Sequence, residues 1–62
     1  MSLPEPPRRP TLLIVDDDHV MRMLEAEPLA HFGFDVREAV DGEQALELLA
    51  ETTPDFYLLD VD

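Results

Sequence analysis

Four aliphatic residues run straight into three aspartates, Leu12-Leu13-Ile14-Val15-Asp16-Asp17-Asp18, and no other stretch constrains this chain as much. A continuous apolar run of this length reads as a strand covered on both faces, the kind found in the middle of a parallel sheet. Its abrupt acidic end needs a physical reason. Carboxylates a few Å apart repel by roughly 4 kcal/mol per pair at 4 Å and an effective dielectric near 20. A folded chain can leave such groups in water, shift their protonation or bind a cation between them. A second run, Phe56-Tyr57-Leu58-Leu59-Asp60, ends in the same way. What these acids can do depends on whether the two strand ends meet.

The chain has 62 residues, enough for one small domain. A domain of that size buries only about 60% of its unfolded surface and is marginal without a staple or a partner. There is no cysteine, which excludes disulfides and thiolate metal sites. His19 and His31 are too few for a zinc site without several carboxylates. Fifteen acids against four arginines, with no lysine, give a net charge of −11. That balance speaks against nucleic acid or an anionic membrane as direct partner and favours divalent cations and basic surfaces. No apolar run is long enough to span a bilayer and no signal peptide is visible, so a cytoplasmic setting is expected.

Residues 1–10 carry Pro4, Pro6, Pro7 and Pro10 with Arg8 and Arg9, and read as an extended, disordered leader. From Thr11 the pattern alternates. The first strand ends at Asp16. Asp18 is placed to cap a helix over about His19 to Phe32. Met21, Leu24, Pro28 or Leu29, and Phe32 recur at helical spacing and are the expected core stripe of that helix. Pro28 inside it removes a hydrogen bond and costs about 3 kcal/mol, so a kink or weak last turns are expected. Gly33 suits a left-handed helix end.

Residues 34–39 alternate as a short strand nearer an edge. Asp41 caps the next helix, with Gln44 spaced as in a capping box. Ala45, Leu46, Leu48 and Leu49 form its apolar face, and Thr52-Thr53-Pro54 stop it. Asp35, Asp41 and Asp55 are explained as turn or cap residues. The order β-α-β-α-β implies parallel strands joined by right-handed crossovers. Parallel strands bring Asp16, Asp17 and Asp60 to one edge of the sheet, where open α/β sheets place their ligands. They converge if the third strand lies beside the first.

These residues, together with Arg22, Gly33-Phe34-Asp35-Val36, Ala39-Val40-Asp41-Gly42-Glu43-Gln44-Ala45-Leu46, Pro54-Asp55 and Leu58-Leu59-Asp60-Val61, resemble the first half of a response-regulator receiver domain over Thr11 to Asp62. The resemblance implies the β-α-β-α-β portion of a flavodoxin-like, doubly wound parallel sheet of strand order 2-1-3, truncated after the third strand. It implies a two-component phosphoacceptor module and not an enzyme with turnover. Asp60 would take a phosphoryl group from a sensor histidine kinase or phosphotransfer protein. Asp16, Asp17 and Asp60 would hold Mg²⁺, with the main-chain carbonyl of Asp62 completing the protein ligands. An output domain or protein partner would read the signal. A cation between carboxylate and phosphoryl group makes chemical sense, because two anions do not otherwise approach.

The chain departs from the family pattern in two respects. A full receiver brings a hydroxyl residue and a lysine to the phosphoryl group, and no lysine is present. Asp62 puts a further acid two residues after the acceptor. In strand order 2-1-3 the third strand is an open edge at which two copies can pair. Two other functions compete. One is a non-catalytic pseudo-receiver or docking fragment. The other is a haloacid-dehalogenase-like phosphatase with Asp60 as nucleophile and Asp62 as general acid/base, which leaves Asp16 and Asp17 unexplained.

Overall fold

A computed structural model describes residues 8–60; the proline-rich leader up to residue 7 and the residues after Asp60, Asp62 among them, lie outside the described residues. Three strands and two helices alternate: β1 Thr11–Asp16, α1 His19–His31, β2 Asp35–Ala39, α2 Gly42–Glu51 and β3 Phe56–Asp60. The sheet is parallel throughout, in the order β2-β1-β3. This is the α/β arrangement expected from the alternation, with the strand order that the resemblance implied.

The central place of β1 follows from its composition. Leu12, Leu13 and Ile14 are all buried, which only a strand covered on both faces achieves. Pleating sends Leu13 and Val15 to one face, where they pack with Ala39 of β2 and with Ala45, Leu48 and Leu49 of α2. Leu12, Ile14 and Asp16 project to the opposite face, beneath α1. Asp55 fastens the start of the sheet: its carboxylate accepts from the Thr11 N–H at 2.8 Å, and its own N–H donates to the Thr11 carbonyl at 2.8 Å.

Asp18 caps α1 as expected, accepting from the N–H groups of Val20 and Met21 at 3.0 and 3.2 Å. The helix then runs through Pro28 to His31. It ends in a paired closure, with Gly33 N–H donating to Ala30 and Phe34 N–H to Leu29, and Gly33 taking φ +104°. Pro28 therefore does not weaken the last turn to the point of ending the helix.

The phase of α1 differs from the expected stripe. Met21, Leu24 and Phe32 are exposed, Leu24 to 61% and Phe32 to 82%. The inward face is Arg22, Glu25, Ala26 and Leu29, spaced i, i+3, i+4, i+7; Leu29 belongs to the expected stripe, and the other three do not. Arg22 sets this phase because its guanidinium is drawn to the end of β1. In α2 the expected face holds for Ala45, Leu48 and Leu49, but Leu46 points outward at 68% exposure. The Asp41 carboxylate accepts from Gln44 N–H at 2.8 Å, while the Gln44 side chain reaches back to the N–H of Val40, one residue before the cap.

β3 lies at the edge, and every one of its residues is exposed. Its start is tied to the rest by an edge-to-face contact of Phe56 with Phe34, with ring centres 5.8 Å apart.

Candidate functional site

Asp16 closes β1 and Asp60 closes β3, and the ladder makes them register partners. Register partners in a parallel pair project to the same face, about one inter-strand spacing apart. The two acid-ended strands thus meet at the C-terminal edge of the sheet.

Their surroundings are unequal. Asp16 is only 2% exposed because the aliphatic run before it carries the strand through the middle of the sheet. Its Oδ1 accepts from Asp18 N–H at 2.9 Å, while its Oδ2 is buried without a partner. The carbonyl of Asp16 accepts from Arg22 Nη1 at 2.7 Å. The same guanidinium faces Glu38 of β2 through Nε at 3.5 Å and His19 Nδ1 through Nη2 at 3.2 Å. Arg22 therefore ties the end of β1 to α1 and β2 without engaging the Asp16 carboxylate. His19 is exposed and touches this clamp.

Asp17 follows in the turn and is exposed. It lines an open cleft of about 230 Å³ with Asp16, Asp60 and the turn Val40-Asp41-Gly42. The cleft sits where β1, β3 and the start of α2 converge, at the sheet edge to which parallel strands bring these acids.

The family model of the response regulator receiver domain matches residues 12–62. The chain belongs to the response regulator receiver domain family. Among curated proteins, this receiver is 42% identical over 50 residues to the response regulator MprA of Mycolicibacterium vanbaalenii. The MprA proteins of Mycobacterium ulcerans and Mycobacterium avium are 42% and 40% identical over the same length. Each match covers 81% of this chain but 22% of the relative, so the chain spans a minor part of the proteins it resembles. No solved structure matches it. Membership of this family removes the haloacid-dehalogenase-like reading, which also gave no role to the buried Asp16. Among the described residues, no helix is long and apolar enough to cross a membrane.

Receivers imply a magnesium ion, and the donor set here fits one. It offers oxygen ligands only, several carrying negative charge, which is what a small hard cation prefers. A carboxylate oxygen buried without a hydrogen-bond donor, as Asp16 Oδ2 is, has lost its hydration and gained nothing in exchange. A cation at the strand ends would supply the missing interaction. Asp17 shares the cleft with Asp16 and Asp60.

A residue that the sequence pattern did not single out stands beside them. Oxygen atoms of Asp16, Glu25 and Asp60 all lie within 4.8 Å of one another. Glu25 comes from α1, is partly buried, and has an Oε2 that is also without a partner. Among the described residues, neither Asp16 nor Glu25 is ion-paired to an arginine; the two pairs found are Arg22–Glu38 and Arg37–Asp35. The signal that could have found Glu25 was its place three residues after Arg22 and four before Leu29 on one helical face.

Proposed function

We propose that this receiver accepts a phosphoryl group on Asp60 from a phosphohistidine of a sensor histidine kinase or phosphotransfer protein. The observation that carries the reading is the register pairing of exposed Asp60 with buried Asp16, whose Oδ2 lacks a partner. In the transfer, an Asp60 carboxylate oxygen forms a bond to phosphorus. The phosphorus–nitrogen bond of the donor breaks, and its electron pair stays on the imidazole, which takes up a proton. Asp60 is at the end of an exposed edge strand and borders an open cleft, so an incoming phosphohistidine can reach it.

Asp16, Asp17 and Asp60, with the main-chain carbonyl of Asp62, are the residues assigned to hold Mg²⁺. When bound, the ion supplies the positive charge that lets a carboxylate and a phosphoryl group come together. Arg22 holds the Asp16 backbone, and the Asp18 N–H holds Asp16 Oδ1, so the Asp16 carboxylate is fixed before any ligand arrives. The chain has no lysine, so a cationic contact of lysine type to the phosphoryl group has to come from outside these 62 residues. The signal would pass to an output domain or partner protein, and the receiver itself acts as acceptor and not as a turnover enzyme.

The test is intact mass before and after incubation with acetyl phosphate, with and without Mg²⁺, on the protein and on Asp60→Asn. A single phosphoryl adduct that needs Mg²⁺ and is lost in the variant is expected. No adduct, or one that persists in Asp60→Asn, refutes the assignment and favours a docking module that never takes phosphate.

A further inference from the structure

We propose that Glu25 is a direct ligand of the divalent cation, joining Asp16 and Asp60 from the α1 side; the inference rests on reading those aspartates as a cation site. Three observations carry it. The first is proximity. A small divalent cation at about 2.1 Å from each of two oxygens can hold them up to roughly 4.2 Å apart. One oxygen from each of the three carboxylates already lies within 4.8 Å of the others, so small side-chain adjustments complete the set.

The second is an orphaned oxygen on a residue of the cluster. Asp16 is 98% buried by its 2% exposure, and its Oδ2 has no hydrogen-bond partner. Acids clustered on a surface need no explanation, since water solvates them. A buried, donorless oxygen on a carboxylate clustered with two further acids does need one, and a cation supplies it.

The third is the helix itself. The inward face of α1 consists of Arg22, Glu25, Ala26 and Leu29. Arg22 has three partners, and Ala26 and Leu29 are apolar. Among the described residues, Glu25 is the polar residue of that face for which no hydrogen bond or ion pair is found, and its Oε2 is buried. An apolar side chain would suit the position if packing were all that was asked of it. Glu25 does not line the cleft shared by Asp16, Asp17 and Asp60, so it reaches Asp16 and Asp60 from outside that cleft. A third carboxylate increases ligand charge, which tightens binding of hard cations and leaves fewer positions for water.

The test is titration with Mn²⁺, following the loss of the free-ion electron paramagnetic resonance signal, on the protein and on Asp16→Asn, Glu25→Gln, Glu25→Leu and Glu27→Gln. Glu27 is an exposed acid on the same helix, so its variant removes the same charge without touching the cluster. Circular dichroism melts without metal accompany each titration. Asp16→Asn is expected to abolish binding. Glu25→Gln is expected to weaken it by about tenfold or more, and Glu25→Leu further, with Glu27→Gln close to the parent. Relief of like charge should leave both Glu25 variants at least as stable as the parent without metal and less stabilised by it.

Binding by Glu25→Gln as tight as by Glu27→Gln, or tighter than by the parent, overturns the role of Glu25 while the aspartate site stands. If the parent protein binds no Mn²⁺, the aspartate site and the Glu25 inference fall together. If Glu25→Gln melts well below the parent without metal, Glu25 is a folding residue and the inference is overturned.

Discussion

Replacing Arg22 by methionine tests whether this buried guanidinium holds the end of β1. Methionine keeps most of the apolar stem and removes the charged head. The main loss is the hydrogen bond from Nη1 to the Asp16 carbonyl, 2.7 Å long and buried. Bonds with a charged partner contribute about 1.5–3 kcal/mol. The ion pair to Glu38 adds little. It is 3.5 Å long and its acid is 46% exposed, so screening holds it to roughly 0–1 kcal/mol. Burying the guanidinium has a desolvation cost that methionine recovers, which trims the total.

The expected net loss for Arg22→Met is about 2 kcal/mol, a fall in Tm of roughly 8–16 °C for a domain of this size. Glu38→Gln should lose less than about 1 kcal/mol. Urea unfolding followed by far-ultraviolet circular dichroism measures both, with unchanged slopes showing that the unfolded states are comparable. A Glu38→Gln loss equal to that of Arg22→Met would mean that the ion pair, not the carbonyl clamp, fixes Arg22. An unaffected Arg22→Met would mean that the clamp contributes nothing.

Two helix substitutions test the account of α1. Pro28 is exposed inside a continuous helix and lacks a backbone donor, so Pro28→Ala should stabilise the protein by about 1–3 kcal/mol in thermal melts; a loss would show that its ring packs to advantage. Asp18→Ala removes the acceptor for two N–H groups at the start of the same helix and should destabilise by about 1 kcal/mol, with Asp18→Asn close to neutral; equal effects would point to charge instead of capping.

β1 and β3 were legible because each is an apolar run closed by an acid, and β2 because its residues alternate; signals of that kind do not depend on anything far away. The caps at Asp18 and Asp41 were legible for the same reason: their bonds reach two or three residues. The phase of α1 was not. Met21, Leu24 and Phe32 recur at helical spacing as a core stripe would, and Arg22 and Glu25 fall outside that stripe. What turns the helix is the Asp16 carbonyl, six residues before Arg22 and on a different element. Periodicity scores the helix against itself and cannot see that attraction. Glu25 was hidden by the same error, since a helix turned the other way would show it to water. The meeting of Asp16 and Asp60 was legible once the strand order was taken from the resemblance. The alternation alone left open which strand lies beside β1.

The pairing of Asp16 with Asp60 through a backbone ladder has a further consequence. The distance between the two carboxylate-bearing positions is a lattice spacing of the sheet, about 4.8 Å, and not a property of either side chain. Side-chain substitutions can alter the charge, reach or polarity of this site, but they leave that gauge untouched. The gauge is lost only by slippage of β3 along β1, and a slip of one residue would turn Asp60 to the far side of the sheet. Such a slip would cut Asp60 off from Asp16 without altering an atom of either.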